Sequence, residues 1–553
     1  MSLSRRELLT LLLGSTLGMK ACRRPMPNRV PGKVVGGAID RGHRLLSPPS
    51  PVPQAVSRRV EIAIVGAGLS GLSSAWRLER RGEPRFAVFE LEDRAGGTSA
   101  YGTDAIVPYP WAAHYLPLPR ADAGTLVSLL EEMKLVERYG SDRLKPREGV
   151  LVRYPDERLF VENRWIEGLV PRPLLGAEGA REMARFEAIV NRWVAFRDAR
   201  GRRAFGLPVA SCSDDPEVTV LDEISAAQWL KREGFRSRPF RWLLEYGCRD
   251  DYGCSLETTS AWAFLFYHAA RVPAPGHPSA PFLTWPEGNG HFVRYLEGVV
   301  GSRLELGRMV VDIVPGAEAV DLTVWDAKHN RSERVVARHV VVATPTFLRE
   351  RLLRPYREQR PSFLDAFSYS PWMVANLHLR GRPRDRGLPF AWDNVIYGGA
   401  SLGYVVATHQ TLRDDGPTVW TYYQPFVDNN PAIARHRLAA AHHGGACDAI
   451  LSELAAAHPG LDRWVERIDV WRWGHAMVRP VPNMAFGEAR HRAMVPLGRV
   501  HFANADLSAM PLLEEAHFHG VRAADEVLSD QERDARTARG STDAVGTDIL
   551  RRP

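Results

Sequence analysis

Three glycines stand two and three positions apart in Gly66-Ala67-Gly68-Leu69-Ser70-Gly71, and an acid, Glu90, follows nineteen residues after the last of them. Before them runs an apolar, β-branched stretch from Val60 to Val65, and after them Leu72, Ala75 and Trp76 share one helical face. The pattern reads as strand, glycine turn, helix. The first glycine permits the tight turn, the second lets the backbone approach a pyrophosphate, and the third lets helix press on strand. The free N–H groups and dipole of the helix then hold the phosphate charge. A second apolar run, Phe86-Ala87-Val88-Phe89, ends at Glu90, where a carboxylate accepts hydrogen bonds from a ribose 2′-hydroxyl and repels a phosphorylated ribose.

The segment after Glu90 separates one dinucleotide from another. Glu92-Asp93-Arg94-Ala95-Gly96-Gly97-Thr98 resembles the Asp-Arg-x-Gly-Gly stretch of the flavin-containing amine oxidase superfamily, which includes protoporphyrinogen oxidases and carotenoid desaturases. Further pieces follow in that superfamily's order across about 470 residues: Trp285-Pro286-Glu287-Gly288-Asn289-Gly290, Met309-Val310-Val311, Val340-Val341-Val342-Ala343-Thr344-Pro345, and Arg499 to Asp506 with the helix beyond it. The resemblance implies noncovalent FAD held by Gly66, Gly68, Gly71, Glu90, Arg94, Gly96, Gly97, Val310 and Asp506. In Phe502-Ala503-Asn504-Ala505-Asp506 the acid is displaced by one place, so Asn504 stands beside Asp506 as the second candidate. Ala516, Gly520, Ala523 and Val527 give the last helix a small-residue face that can lie close on the sheet, with its positive end toward the reducible ring.

The reaction such a chain is expected to perform is hydride transfer from a substrate C–H to flavin N5, on an amine-like or an apolar, desaturase-type substrate, with an electron acceptor that the sequence does not name. A redox-neutral flavin isomerase and a non-catalytic FAD-fold binding or maturation protein are the alternatives. Trp471-Arg472-Trp473-Gly474-His475 resembles the strand that leads back to the isoalloxazine, which makes His475 and Trp473 candidates for catalysis; His517, near the start of the last helix, is a third. The chain has six lysines, and the strand where the amine-oxidising members place one reads Pro371-Trp372-Met373-Val374-Ala375-Asn376. Leu507 to Leu513 has none of the aromatic residues that the family often sets before its last helix. Both departures favour a less polar substrate. Tyr246 to Cys254 reads as a polar, glycine-bearing loop in which Arg249, Asp250 and Asp251 form either a buried network or a solvated ion pair.

The elements that must position these residues form an α/β chain: a discontinuous, Rossmann-like FAD-binding domain (59–120, 285–349, 486–530) and an α+β substrate domain (121–284, 350–485). A helix is expected from Ala123 to Leu135, strands from Trp372 to Leu379 and from Leu402 to Thr408, and a polar tail over 531–553. Of 553 residues 45% are hydrophobic, enough for two or three cores. Eleven Lys or Arg against Glu7 and Asp40 put +9 on residues 1–60, so the whole chain's +7 leaves the body at −2, which argues against a nucleic-acid partner. Ser4-Arg5-Arg6 before the apolar run Leu8 to Met19 resembles a twin-arginine leader, implying use of that export machinery and a periplasmic or exported location. The signal is assigned to 1–22, with Cys22 a candidate for a lipid that anchors the chain to a membrane, and 23–58 is read as a Pro/Arg-rich tether. Cys212, Cys248, Cys254 and Cys447 show no zinc spacing, so no metal is expected; Cys248 and Cys254 are read as free thiols, with a pair between them as the alternative.

Overall fold

The computed structural model describes residues 30–36, 38–46, 55–140, 143–384 and 387–548, with side chains to 537. The expected export leader, Cys22 and the Pro-rich run at 47–51 lie outside the described residues. The chain opens on a two-residue strand β1 (Val34–Val35) and a short helix α1 (Ile39–His43). It then runs through β2 (Val56–Val65), α2 (Leu69–Arg80) and β3 (Phe86–Phe89). Next come β4 (Glu157–Val161), β5 (Arg164–Glu167), α3 (Arg238–Tyr252) and α4 (Ala261–Ala269). The chain returns as β6 (Leu304–Glu305), β7 (Arg308–Pro315), β8 (Val320–Asp326) and β9 (Arg331–Val342). It leaves again as β10 (Tyr369–Leu379), β11 (Asp393–Ile396), β12 (Tyr404–Val406), β13 (Thr418–Pro425) and β14 (Val465–Val478), and closes with β15 (Val500–Phe502) and α5 (Leu513–Asp548).

These strands form two large sheets. The first has the order β6-β3-β2-β9-β8-β7, with β15 on β9. Its centre is parallel: Ile62 to Val65 pair with Phe86 to Phe89 on one side and with His339 to Val342 on the other. Ile62, Ile64, Val88 and Val341 are buried under α2 and α5, whose Leu72, Ala75, Trp76, Ala523, Ala524 and Val527 complete that core. Close approach of the two helices rests on their small residues. A Cβ on Gly520 would lie 2.3 Å from the Ser70 carbonyl oxygen, and Ser74 Oγ donates to the Gly520 carbonyl at 2.8 Å. The second sheet, β1-β14-β10-β13-β12-β11-β4-β5, is mixed, antiparallel through its centre and parallel where β1 meets β14 and β11 meets β4. Helices α3 and α4 belong to a separate aromatic core with Phe186, Phe205, Trp229 and Trp262. The fold class is the α/β one expected. No helix among the described residues is long and apolar enough to cross a membrane.

Five expectations are corrected. The helix expected from Ala123 to Leu135 is shorter, Thr125–Glu132, because it starts after Gly124 at φ +57°. The strand expected over Leu402 to Thr408 is confined to β12, and the chain turns into a 3₁₀ segment from Ala407. Tyr246 to Tyr252 is not a loop but the second half of α3, ended by Gly253 in the left-handed region at φ +60°. Its buried face carries Phe240, Leu244, Gly247, Cys248 and Asp251, so a polar sequence follows a helical period. The expected polar tail continues α5 as far as Asp548. Finally, part of the expected tether is docked. Lys33 N–H donates to Asp469, Ala38 N–H donates to Glu92 at 2.6 Å, and Arg41 holds Asp93 through both guanidinium nitrogens. Cys248 and Cys254 are free buried thiols, as are Cys212 and Cys447.

Candidate functional site

A cavity of about 470 Å³ runs from the glycine turn to the face of the second sheet. At its first end Gly66 takes φ +100°, a conformation open to glycine, and Gly68 continues into the first turn of α2. A Cβ on Gly71 would stand 1.9 Å from the Gly66 carbonyl oxygen, whereas one on Gly68 would meet nothing within 4 Å. Gly96 and Gly97 follow at φ +114° and +54° and line the same end with Arg94, which donates to the Tyr101 carbonyl at 3.4 Å. Glu90 accepts from the N–H groups of Ala67 at 2.7 Å and Glu92 at 2.9 Å. Burial pushes its carboxyl up to about 7 against those hydrogen bonds. Glu90→Ala therefore strands two backbone donors, and urea unfolding is expected to register a loss of about 1–3 kcal/mol for each. Val310 contributes from β7.

Asp506 and Asn504 both line the cavity. The Asp506 carboxylate is buried and accepts from Thr346 N–H at 2.7 Å and from Tyr369 O–H at 2.6 Å, while burial raises its pKa. Asn504 Oδ1 accepts from Asp506 N–H at 3.1 Å, so the two hold one another in place. Pro511, Leu512, Leu513, Glu514 and Ala516 bring the start of α5 to the cavity wall. The residues present fit a dinucleotide. Open space lies over Gly68, and Asn289 Oδ1 and Thr344 Oγ1 are buried polar atoms of the lining without a hydrogen-bond partner.

The other end holds the residues that the sequence placed least well. Tyr115 O–H lies 3.0 Å from Asp250 Oδ2 and 3.2 Å from Asp251 Oδ1. Arg271 reaches Asp251 at 3.1 Å and Glu514 at 3.3 Å. Burial works against the Arg271 charge, yet Asp251 and Glu514 hold its pKa above the ordinary arginine value. Asp250 is pushed up to about 7 by burial and then by its neighbour Asp251. Across the cavity Tyr246 O–H donates to Asp393 at 3.2 Å. Asp393 is raised well above the usual carboxylate range by burial, then by Glu157 and Asp250; Glu157, its register partner on β4, is pushed up to about 7 by burial. Asp250, Asp251, Asp393 and Glu514 thus line one end of a cavity in which Arg271 is the cation among them. None of the lining residues is a lysine. Tyr423 stacks on His114 at 4.5 Å, and burial lowers His114 to about 4.

The three catalytic candidates separate. His475 lines the cavity, stacks on Phe347 at 4.2 Å and is lowered to about 4 by burial, so it is neutral at pH 7. Trp473 lines it too, donating to the Trp111 carbonyl at 2.8 Å. His517 does not line it. Its ring hydrogen-bonds Ser73 at 3.0 Å and Thr125 at 3.2 Å beside a second cavity, which makes it a joint between α5, α2 and the 125–132 helix. His519 is likewise buried elsewhere, 2.8 Å from Ser508. Spacing found Asp250 and Asp251 but lost them in an assumed loop; a 3.6-residue count from Phe240 places Tyr246 and Asp250 four apart on one helix. Asp393, Glu514 and Arg271 carry no local signal.

Residues 69–528 match the model of the family described as flavin containing amine oxidoreductase. AofH of Mycobacterium tuberculosis, named as a flavin-containing monoamine oxidase, is 29% identical over 216 residues, 38% of this chain; the match spans only 40% of that relative's length. Among solved structures the chain is similar to putrescine oxidase bound to putrescine, with TM-score 0.64 and 17% identity over 85% of this chain and 99% of that one. It is also similar to cyclohexylamine oxidase from Brevibacterium oxydans (0.61, 17%, 86% and 99%) and to a CLA-producing fatty acid isomerase from P. acnes (0.59, 14%, 84% and 98%). At these identities the structural likenesses speak for the fold. With the family model covering the greater part of its length, the chain belongs to the flavin-containing amine oxidoreductase family, and its cofactor is FAD.

Proposed function

We propose that the protein is an FAD-dependent oxidoreductase that oxidises a substrate carrying a protonated amine. The observation that carries this reading is the acid-lined end of the cavity, where Asp250 and Asp393 face the space while Arg271 is committed to Asp251 and Glu514. An ammonium group offsets the burial and, with it, the mutual repulsion that raise these carboxyls; an uncharged hydrocarbon leaves both in place. The amine named for putrescine oxidase and for AofH agrees with that choice. FAD, when bound, supplies the two-electron acceptor. Gly66, Gly68, Gly71, Glu90, Arg94, Gly96, Gly97, Val310 and Asp506 would hold it noncovalently.

The chain's own residues would then do three things. Asp250 and Asp393, steadied by Tyr115 and Tyr246, orient the cation. Trp372, Tyr423 and Trp473 narrow the cavity around the substrate carbon and exclude water. His475, uncharged at neutral pH, adds no competing positive charge. The apolar lining of Leu402, Val405, Met477 and Leu512 favours a second reading, the isomerase or desaturase-type one, in which the acids only shape the wall. Anaerobic mixing of the yellow protein with a panel of amines and a panel of polyenes separates the two. Bleaching by amines alone is expected; bleaching by polyenes alone overturns the proposal, and bleaching by neither points to a binding protein.

The pH dependence has a defined sign. A cation prefers ionised carboxylates, so its binding releases the proton that Asp250 carries below about 7. The dissociation constant for a permanently charged amine is therefore expected to fall between pH 6 and pH 8, by up to roughly tenfold per unit below the pKa for each proton released. A flat profile from a spectral titration removes Asp250 from the binding step. On the same footing, export through the 1–22 leader and an acceptor outside the cytoplasm remain part of the proposal, tested by fractionating cells.

A further inference from the structure

On the face of the first sheet that α5 covers, His339 of β9 and His501 of β15 point the same way, because Val341 pairs with His501 and residue 339 lies two positions before 341. Asp530 comes down on them from α5. One ligand atom from each of the three lies within 4.8 Å of the others. Both histidines are buried, at 0% and 1% exposure, and each keeps a ring nitrogen without a hydrogen bond: Nδ1 of His339 and Nε2 of His501. Buried ring nitrogens are normally satisfied, so two unpaired ones on rings 5.9 Å apart need an explanation.

The His501 ring shows what kind. Its Nδ1 lies 3.2 Å from Glu526, which fixes the proton there, and the Nε2 lone pair then faces Asp530 Oδ2 at 3.3 Å, acceptor against acceptor. Something positive belongs between them. A proton on Nε2 would serve His501 and Asp530 but leave His339 as it is. A cation with a taste for imidazole serves all three, and Glu526 is then the carboxylate that orients a ligating histidine through its other nitrogen. We infer that His339, His501 and Asp530 form a site for a borderline divalent transition metal such as Zn²⁺, clamping α5 to the two strands beneath it. Two imidazoles and one carboxylate suit such an ion and not Ca²⁺ or Mg²⁺. Tetrahedral ligation at about 2.0–2.1 Å sets ligand atoms roughly 3.3 Å apart, so the three need close by at most about 1.5 Å. Arg499 donates to His339 Nε2 at 3.2 Å, so ligation requires His339 to give up that hydrogen bond or move its proton off Nδ1; Arg499 keeps Asp534 at 2.7 Å and the Ala317 carbonyl as partners, and Asp530 is only partly buried, so solvent reaches the site.

The test is a Co²⁺ titration of the flavin-loaded protein, with Zn²⁺ competition and metal analysis after dialysis. About one equivalent with visible d–d bands is expected, displaced by Zn²⁺, and weakened at least tenfold in His339→Asn and His501→Asn. Flavin absorbance in each variant reports that it has folded. Should a buried histidine variant lose its flavin, Asp530→Asn on the partly exposed helix face carries the comparison. No metal retained by the parent protein, or bands of equal strength in every folded variant, overturns the inference.

Discussion

Gly71→Ala is expected to yield chain that cannot retain flavin and unfolds early. The added methyl would sit 1.9 Å from the Gly66 carbonyl oxygen and 3.3 Å from Ala343 Cβ. Neither neighbour can swing aside, since one is the glycine turn itself and the other directly follows the adjoining strand β9. The cost is on the order of 1–3 kcal/mol, the usual range for overpacking, and more where backbone cannot yield, a large share of the roughly 5–15 kcal/mol that holds a typical domain. Gly68→Ala gives the contrast. Its φ of −68° suits any residue and its Cβ meets nothing within 4 Å, so the protein is expected to fold at nearly full stability while binding flavin more weakly, the methyl standing where the pyrophosphate approaches. Thermal unfolding and the flavin-to-protein absorbance ratio measure both. Equal flavin loss at equal stability in the two variants would show that the third glycine's close approach is not what builds the turn.

Asp250→Asn and Asp393→Asn are expected to cut kcat/KM for a cationic amine by roughly 30- to 1,000-fold, about 2–4 kcal/mol for removing one partner of a desolvated charge pair. A second consequence runs the other way. A carboxyl whose pKa is raised by folding binds more protons folded than unfolded, so it lowers stability progressively as pH rises from the unfolded value near 4 through about 7. Asp250→Asn removes that penalty and is expected to raise the melting temperature at pH 8 while leaving it little changed at pH 4. Weaker catalysis with greater stability is the signature of a residue kept for function. An Asn variant that loses stability at pH 8 shows instead that Asp250 is a structural partner of Tyr115.

The nucleotide end was readable because its parts are local. Gly66, Gly68 and Gly71 fall within six residues, Glu90 ends the next strand, and each obeys a rule of backbone geometry that tertiary context does not alter. The acid-lined end was not. Asp250, Asp393 and Glu514 come from three distant segments, and only the packing of α3 against the second sheet brings the first two face to face. The polar run 246–254 resembled a loop because its helical face is closed by Gly247, Cys248 and Asp251, residues that carry little hydropathy signal. His517 failed for a related reason: its place near the start of α5 was legible, but which way its ring points depends on the crossing of α5 over α2. Val34-Val35 is too short for any period, and Arg533 to Arg536 too evenly polar, for β1 or the far end of α5 to announce themselves. The cluster of His339, His501 and Asp530 spans nearly two hundred residues and has no spacing to read.

The pairing of β1 with β14 sets an order of events during synthesis. Lys33 and Asp469, which meet beside that pairing, are 436 residues apart in the chain, so β1 has no seat until those 436 further residues have left the ribosome. Until then the edge of the second sheet does not exist. A factor that must grip residues 33–35 has that whole interval in which to find them, and their seating marks the completion of β14, with β15 and α5 still to follow.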